Sequence, residues 1–595
     1  MLIKMVFSKI VSVVILSTLL IGCSIDETAG KTAIPISASA LSIAFNPTKA
    51  FHFTWTDVVD ANYYELHEDS TGSSGYTLVK GNIPTVNGAN SFDHFAPLHG
   101  RLNAKYILKS CNAGGCATSE AIYISTRVPE MVNAIINLER PDDENLQGDA
   151  LFGYSVTISA DGNTLATGAY FETNPDEDGV PVAEAGSVSV YSRTNNIWTR
   201  QARLTNVQYD DRGDRFGYSL NLSADGNSLA VAATRESGTG VGVSDESEAK
   251  NVDNGSTASA GTGAVFLYSR TGLTWKQQAY IKDSNPEPFG NFGTFVKLSK
   301  DGTTLAVGAQ WSDSSVTGIN SSVTPNRDAQ NSGSAYVFVR DGSTWTQQAY
   351  LKPKVVDAGD NFGVGMSMST DGNTLAIAGW WEDSNAKGIN GDEANNDAVD
   401  SGAAYVFVRN GSTWTQQAYL KASNSEAGDR FGTMVTISAD GNTLAVSSWW
   451  EDSNATGINP IETDNSVDAA GAVYVFTRSG TTWTQQAYLK SSNTDAGDLF
   501  GSSMTISADG NTLVVTAQEE NSDAKGINGD QTNNSAVNSG AAYVFVRDGL
   551  TWSQSAYLKA SDTAANAKFG AGLSINADAS TLAIGANGVG KLYIY

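Results

Sequence analysis

The sequence predicts an all-β protein in which a small β-sandwich precedes a seven-bladed β-propeller with four-stranded blades. Three observations lead to this fold class. From about residue 130 onward the chain repeats with a period near 70 residues, which is typical of closed repeat architectures. Each repeat holds four short apolar runs separated by turn residues, as a propeller blade requires. The preceding stretch, residues 33–127, has alternating apolar runs but no repeat.

The composition limits the classes of partner. The chain has 595 residues and a formal net charge of −26. Because binding to nucleic acid depends on clustered cations, we expect no nucleic-acid partner. Hydrophobic residues make up 41% of the chain, which is enough for large cores and argues against disorder. A strongly acidic surface keeps a protein dispersed, and we expect a soluble monomeric ectodomain.

The N-terminus has the pattern of a signal peptide, because two lysines precede an apolar stretch too short to span a membrane. Residues 20–23, "LIGC", resemble the lipobox of bacterial lipoproteins. This resemblance implies a signal peptide at 1–22, lipidation of Cys23 and a linker at 23–32. The alternative is ordinary secretion with an incidental cysteine. Ser24 stands where an Asp would favour the inner membrane, so we expect a cell-envelope protein at the outer membrane, held by its lipid anchor alone.

Residues 33–127 are predicted to form the β-sandwich. Phe51, Phe53 and Trp55 alternate with polar residues, which indicates a strand with one buried face. The pattern resembles a fibronectin type III domain, and such domains serve as spacers or as binding modules. Three aromatic positions carry the resemblance: Trp55, Tyr64 and Tyr106.

The two remaining cysteines belong to this part of the chain. Cys111 and Cys116 flank a glycine-rich turn, "CNAGGC". With Cys23 lipidated in an oxidising compartment, we expect these two to form a disulfide. A metal site is disfavoured because no second Cys or His pair stands at ligand spacing.

The propeller is predicted over residues 130–595. A Phe-Gly pair opens each of seven repeats, and in the strand "GAVYVF" both alternating sets are apolar, which indicates a strand covered on both faces. The seventh repeat ends at Tyr595 without its fourth strand. A spare run, "MVNAIINLER" at 131–140, precedes the first repeat. We expect this N-terminal strand to complete the last blade and close the ring.

An Asp-Gly pair follows the first strand in six of the repeats, and this pair favours a tight hairpin. The repeat resembles the FG-GAP repeat of integrin α-chain propellers, in its Phe-Gly pair, in "TLAVGA" (304–309) and in "GAVYVF" (471–476). That resemblance implies a binding propeller and, in many members, a calcium loop at this hairpin. Here "SADGNT" offers a single carboxylate, too few oxygens for calcium. We therefore predict turn residues at Asp161, Asp225, Asp301, Asp371, Asp440 and Asp509.

Candidate binding residues lie in long loops between the second and third strands. These loops are rich in Asp, Asn and Gly, and two of them begin with "WWEDSN". Aromatic rings beside oxygen acceptors suit a glycan or a protein ligand, although core packing of the tryptophans is the alternative. The candidate ligand-binding residues are Trp380, Trp381, Asp383, Trp449, Trp450 and Asp452. Calcium is left open in the same loops, at Asp392, Asp397, Asp400 and Asp530; no other cofactor is expected.

The sequence favours a non-catalytic function. All four histidines lie before residue 100, and the repeats contain neither His nor Cys, which removes His-dependent triads and thiol nucleophiles. We therefore expect no catalytic residues, and a lipid-anchored binding or adhesion protein that recognises a glycan or an envelope protein. Two alternatives remain: a glycosidase that uses two carboxylates, and a structural scaffold of the envelope.

Overall fold

The computed structural model describes residues 39–86, 88–141, 150–175, 180–206, 213–238, 240–244, 261–320 and 326–595. Within these ranges the regular structure is strand, apart from three short 3₁₀ helices at Leu98–Gly100, Ile124–Thr126 and Val128–Ala134. No helix in the described part of the chain is long and apolar enough to span a membrane. The all-β fold class is therefore confirmed.

The described residues of the N-terminal part form eight strands in two sheets. Three strands form one sheet in the order β1-β2-β5, and the other sheet has the order β4-β3-β6-β7, with β8 beside β6. Phe51, Phe53 and Trp55 on β2 point into the core as predicted, with at most 3% of their surface exposed. Cys111 and Cys116 form a disulfide between β6 and β7. The strands are β1 Ser42–Asn46, β2 Ala50–Thr56, β3 Tyr63–Asp69, β4 Thr77–Pro84, β5 Ala89–Phe95, β6 Lys105–Asn112, β7 Gly115–Thr118 and β8 Ile122–Tyr123.

Seven antiparallel sheets follow in the described residues, and we number them repeat sheets 1 to 7. In each, the first three strands pair in chain order, and in sheets 1 to 6 the fourth follows them. The strands are β10 Ser155–Ile158, β11 Thr164–Ala169, β14 Ser187–Thr194 and β15 Ile197–Leu204 in sheet 1; β16 Phe216–Leu222, β17 Ser228–Ala233, β19 Ala264–Thr271 and β20 Thr274–Ile281 in sheet 2; β21 Phe292–Leu298, β22 Thr304–Ala309, β23 Ser334–Asp341 and β24 Thr344–Leu351 in sheet 3; β25 Met366–Met368, β26 Thr374–Gly379, β27 Ala403–Asn410 and β28 Thr413–Leu420 in sheet 4; β29 Val435–Ile437, β30 Thr443–Ser448, β31 Ala472–Ser479 and β32 Thr482–Leu489 in sheet 5; β33 Phe500–Ile506, β34 Thr512–Ala517, β36 Ala541–Asp548 and β37 Thr551–Lys559 in sheet 6; and β38 Phe569–Ile575, β39 Leu582–Ala586 and β40 Lys591–Ile594 in sheet 7.

The fourth strand of repeat sheet 7 comes from before the first repeat. Strand β9, Ile136–Glu139, pairs antiparallel with β40, as the spare run predicted. The strand is shorter than the ten residues of that run, because Val128–Ala134 form a 3₁₀ helix. Pro129 stands at the start of this helix, where its fixed φ is favourable. Met131 and Ala134, three residues apart, are buried on the same side of the helix.

The long loops between the second and third strands return to the outer edge of their own sheets. In sheet 6 the loop forms a short strand, β35 (Gly526–Ile527), paired with β37. A "GIN" sequence makes the same contact as a single bridge in three other sheets: Ile319 with Leu351, Ile389 with Leu420 and Ile458 with Leu489. The remaining short strands are β18 (Val243–Ser244), paired with β20, and the pair β12 (Asn174–Pro175) and β13 (Pro181–Val182). The segments that pair with fourth strands cover an edge that would otherwise expose unpaired backbone groups, whereas β12 and β13 pair only with each other.

A cavity of about 580 Å³ lies between the first strands of all seven repeat sheets. At one end, a series of backbone hydrogen bonds runs from each Asp-Gly turn to the turn of the next sheet. The donor and acceptor residues are 160 to 224, 224 to 300, 300 to 370, 370 to 439, 439 to 508, 508 to 577 and 577 back to 160, at 2.9–3.2 Å. We call this end the turn face. The opposite end, where the second strands finish and the first strands begin, is the loop face.

The Asp-Gly pairs form the hairpins that the sequence predicts. Asp440 accepts hydrogen bonds at Oδ1 from the Ser438 hydroxyl (2.5 Å) and the Asn442 amide (2.9 Å), and at Oδ2 from the Asn442 side chain (2.9 Å). Gly441 has a φ of 71°, a region that favours glycine. Partial burial opposes ionisation of the carboxyl, but these hydrogen bonds outweigh it and lower the pKa of Asp440. Both carboxylate oxygens are therefore used inside the turn.

The N-terminal part packs on the turn of repeat sheet 7, the one turn in which Ala579 replaces glycine. His99 Nε2 donates to the Ala579 carbonyl at 2.9 Å, and Lys49 Nζ donates to Thr581 Oγ1 at 3.2 Å and to the Ser580 carbonyl. Burial, helped by the charge of Arg193, lowers the pKa of Lys49 to about 7. The exception in the repeat thus coincides with the contact between the two parts of the chain.

Candidate functional site

A cluster of four tryptophans lies on the loop face at the junction of repeat sheets 4 and 5. Trp380 and Trp381 follow β26, and Trp449 and Trp450 follow β30. The rings of Trp380 and Trp381 stack with centroids 5.7 Å apart and planes inclined by 5°, and Trp380 lies 5.8 Å from Trp449. Trp450 is 41% exposed. The structure therefore brings together the four tryptophans that the sequence singled out.

An arginine that the sequence analysis did not select completes this cluster. The guanidinium of Arg430 lies 3.6 Å from the ring centroid of Trp450, 5.8 Å from that of Trp381 and 6.0 Å from that of Trp380. These distances are in the range of cation–π contacts. Burial lowers the pKa of Arg430, while the charge of Asp400 opposes this shift. The residue before each Phe-Gly pair varies between repeats, so no shared pattern pointed to this arginine.

The polar atoms of this aromatic–arginine cluster lack partners. Trp380 Nε1, Trp381 Nε1, Trp449 Nε1 and Arg430 Nε are buried, and none has a hydrogen-bond partner among the described residues. All four atoms are donors. A buried donor without an acceptor costs about 1–3 kcal/mol. These four atoms are closed to solvent, so a ligand would instead meet the exposed ring of Trp450 and the partly exposed guanidinium of Arg430 that lies against it.

A second aromatic cluster with an arginine lies at the junction of repeat sheets 1 and 2. Tyr154, Tyr170 and Tyr218 contact one another with centroids 4.5–5.4 Å apart. The guanidinium of Arg215 lies 5.0 Å from the ring centroid of Phe171 and forms an ion pair with Glu184 at 3.0 Å. Arg215 occupies the same register as Arg430, one residue before Phe-Gly. Its carboxylate partner distinguishes it from Arg430, for which the described residues show none.

Asp383 and Asp452 hold the loops rather than pointing a free carboxylate at the tryptophans. Asp383 Oδ1 accepts from the amide of Asp400 at 2.8 Å, and Asp452 Oδ1 accepts from the amide of Ala469 at 2.8 Å. Burial, with repulsion from neighbouring carboxylates, raises the pKa of both groups. Each Asp therefore joins the two ends of its loop, and Trp450 is the exposed residue of the predicted site, whereas Trp380, Trp381 and Trp449 are half-buried.

The preceding glutamates form a buried network that the sequence analysis missed. Glu451 accepts from Lys490 Nζ at 2.8 Å and from the Tyr488 hydroxyl at 2.7 Å, and both charged side chains are at most 2% exposed. Glu382 with Lys421 and Glu520 with Lys559 repeat the arrangement. In all three pairs the Glu and Lys stand 39 residues apart, and this constant separation is a signal that could have found them. The network anchors the loops below the aromatic–arginine cluster.

Comparison with known protein families gives matches in the part of the chain that contains Arg430, Trp449 and Trp450 of the aromatic–arginine cluster. Two segments, 414–476 and 483–545, each start in the last strand of one repeat sheet and end in the third strand of the next. Both segments match the FG-GAP repeat family. These matches support an integrin α-like β-propeller type of protein. No curated protein matches the chain with significant similarity.

The sequence analysis left open whether four acidic residues of the long loops bind calcium. Asp392 Oδ1 accepts from the amide of Ala394, and Asp530 Oδ1 accepts from the amide and hydroxyl of Thr532. Asp397 contacts the Asn385 side chain, and Asp400 has a φ of 56° in a turn. Among the described residues, no group of three or more His, Cys, Asp or Glu side chains has an arrangement suited to a metal ion. The predicted lipidation site, Cys23, lies outside the described residues.

Proposed function

We propose that this protein is a non-catalytic binding protein of the bacterial cell envelope, and that its loop face recognises a glycan. The observation that carries the proposal is the aromatic–arginine cluster, in which the exposed ring of Trp450 lies against the guanidinium of Arg430. Flat aromatic surfaces suit the apolar face of a sugar ring. Hydroxyl or carboxylate oxygens of the sugar would accept hydrogen bonds from the Arg430 guanidinium. A protein ligand that presents an acidic side chain is the second candidate for the same surface.

We also propose that the seven repeat sheets are the blades of a closed propeller and that the N-terminal part is a fibronectin type III-like sandwich. Closure is supported by the pairing of β9 with β40 and by the backbone bond from Ala577 to Ala160. The three-strand and four-strand sheets of the N-terminal part support the sandwich. A closed ring gives the loops a rigid platform, which is where binding loops usually lie.

The charge distribution argues against the glycosidase alternative. Retaining and inverting glycosidases place two carboxylates on either side of the scissile bond. Within the described residues, the central cavity is lined by no Asp or Glu side chain, and the glutamates nearest the cluster are bound to lysines. The scaffold alternative requires no ligand on the loop face. It would leave the exposed ring of Trp450 and the arginine against it without a role.

A double substitution in the cluster is expected to abolish ligand binding. Trp381→Ala with Trp450→Ala removes the two rings nearest Arg430 and leaves Trp380 and the other residues that line the central cavity. We expect binding on a glycan array and to isolated outer membranes to fall at least about 30-fold, as for interface hot spots. The matched control is Leu550→Ala, an 82% exposed apolar residue in the β36–β37 turn, which should bind like the wild type.

The same array experiment separates the alternatives. Turnover of any chromogenic glycoside, abolished by one Asp or Glu substitution, would overturn the non-catalytic proposal. Unchanged binding by the double variant would remove the cluster from the recognition surface and favour the scaffold.

The proposed lipid anchor predicts the fate of a single cysteine variant. Cys23→Ala should no longer incorporate radiolabelled palmitate and should appear in the soluble fraction, because a lipid chain is the only proposed attachment to the membrane. Cys111→Ala, which removes a different cysteine, is the control and should keep the label. A Cys23→Ala protein that still fractionates with membranes would contradict the lipoprotein assignment.

A further inference from the structure

Lys297 on β21 departs from a pattern that the other first strands follow. It stands five residues after the Phe of its Phe-Gly pair, where the other repeats have Thr, Asn or Ser. In four repeat sheets this side chain accepts a hydrogen bond from a backbone amide of the next first strand. The pairs are Thr157 with Leu222, Asn221 with Leu298, Ser367 with Ile437 and Ser574 with Ile158, at 2.8–3.2 Å. Lysine has no acceptor, so it cannot make the equivalent bond to the amide of Met368.

The Lys297 ammonium also has no partner of its own. It forms no hydrogen bond, ion pair or ring contact with the described residues, and it lines the central cavity. Burial lowers the pKa of Lys297 to about 8. Lysines that are buried elsewhere in the repeats have partners: Lys421, Lys490 and Lys559 each bind a glutamate. A residue that breaks a local rule without an evident gain in stability points to a function.

The residues around Lys297 indicate the kind of ligand that would balance its positive charge. The partly exposed apolar side chains of the cavity wall include Phe295, Met368 and Met434, and Ser and Thr side chains line the wall beside them. Methionine side chains adapt to flat or irregular apolar shapes. Trp380 and Trp449 line the same cavity. In the described part of a chain with net charge −26, the cavity lining contains two lysines and no carboxylate. The cavity thus combines apolar patches in its wall with a lysine ammonium that has no carboxylate beside it among these described residues.

The cavity is large enough for one small molecule to contact both the Lys297 ammonium and the apolar patches of the wall. The cavity volume of about 580 Å³ is in the range of about 300–1,000 Å³ typical of small-molecule sites. Lys297 comes three residues after Thr294, near the start of the first strand, which places it about 10 Å below the loop face at about 3.3 Å per residue. A flat molecule of two fused rings spans this distance.

We propose that the central cavity binds a small organic monoanion with a flat apolar body, whose carboxylate pairs with Lys297. The apolar body lies against Phe295, Met368 and Met434, and its outer end reaches the cavity mouth. This inference goes beyond recognition of a glycan on the loop face and does not depend on it.

The test uses the full chain and three probes of the same shape: naphthoate, neutral naphthamide and cationic naphthylmethylammonium. Isothermal titration should show that the wild type binds naphthoate at least about tenfold more tightly than naphthamide. Lys297→Ser should lose this preference without a lower melting temperature, because serine restores the acceptor present at this position in other sheets. Lys297→Arg keeps the charge and should keep the preference. Lys300→Ser, at the second lysine of the cavity lining, is the matched control and should bind naphthoate normally.

The pH dependence gives an independent readout. Naphthoate affinity of the wild type should fall as the pH rises above about 8, because the ammonium loses its proton. The other titratable groups that line the cavity in the described residues are Tyr154, Tyr218 and Lys300, and burial raises the pKa of Tyr154 well above 10. Equal binding of naphthoate and naphthamide, no binding of either, or the same loss in Lys297→Ser and Lys300→Ser would overturn the proposal.

Discussion

Lys490→Met is expected to lower the free energy of unfolding by about 3–5 kcal/mol, the usual effect of removing one partner of a buried ion pair. The variant leaves Glu451, which is 1% exposed, with a buried negative charge and only neutral donors such as the Tyr488 hydroxyl. The loop that starts at Trp449 is anchored through this glutamate. Urea unfolding followed by circular dichroism measures the loss.

Repeat sheet 3 offers the matched control for this variant. There Ser312 stands in place of the glutamate, and Lys352 donates to the Ser332 hydroxyl at 2.8 Å and to the Gly333 carbonyl. Burial lowers the pKa of Lys352 to about 7. Lys352→Met leaves no directly paired carboxylate behind and should cost clearly less than Lys490→Met. Equal losses for the two variants would contradict the role given to the ion pair.

Removing β9 is expected to have the largest effect on the repeat sheets. Deletion of residues 131–140 takes away four residues paired with β40 and the side chain of Ile136, which packs in the same core cluster as Leu592 and Ile594. Loss of a buried isoleucine costs about 2–5 kcal/mol, and each lost ladder hydrogen bond adds about 1 kcal/mol. We therefore expect a loss of about 5 kcal/mol or more.

The same deletion exposes the edge of β40 and should promote association between chains, since an unpaired edge strand is a template for pairing. Scanning calorimetry and light scattering measure the two effects. A synthetic peptide of residues 131–140 should restore part of the lost stability by occupying the edge. A deletion variant with an unchanged melting temperature would show that β9 does not complete repeat sheet 7.

Most of the fold could be predicted because the same short sequence patterns recur from one repeat to the next. Alternating apolar runs predict strands, and Asp-Gly pairs predict hairpins, from a few neighbouring residues. The seventh repeat lacks a fourth apolar run, which predicts that the spare run before the first repeat completes it. The 3₁₀ helix at Val128–Ala134 could not be predicted in this way. Its sequence, "VPEMVNA", has the apolar content of a strand, and only packing decides that Met131 and Ala134 share a buried side. The "GIN" bridges were missed because a single paired residue leaves no periodic pattern.

The candidate site was predictable only in part. The paired tryptophans stand out in the sequence as rare aromatic residues at the same position of two repeats. Arg430 could not be found because its contacts depend on the packing of sheet 4 against sheet 5. Asp383 and Glu382 are adjacent acids, and their different roles follow from the side of the chain on which each carboxylate falls. Asp383 binds a backbone amide of its own loop, whereas Glu382 reaches the buried Lys421.

The central claim is that the loop face of the repeat sheets, and not the N-terminal part, recognises the ligand. Hydroxyl-radical footprinting of the full chain, with and without a saturating amount of the strongest glycan found on the array, tests this claim most directly. We predict slower oxidation of Trp381 and Trp450, with Leu550, which is 82% exposed in the β36–β37 turn, as the internal reference that stays unchanged. Unchanged oxidation of Trp381 and Trp450, together with protection of exposed residues of the N-terminal part such as Tyr76 or Phe95, would contradict it.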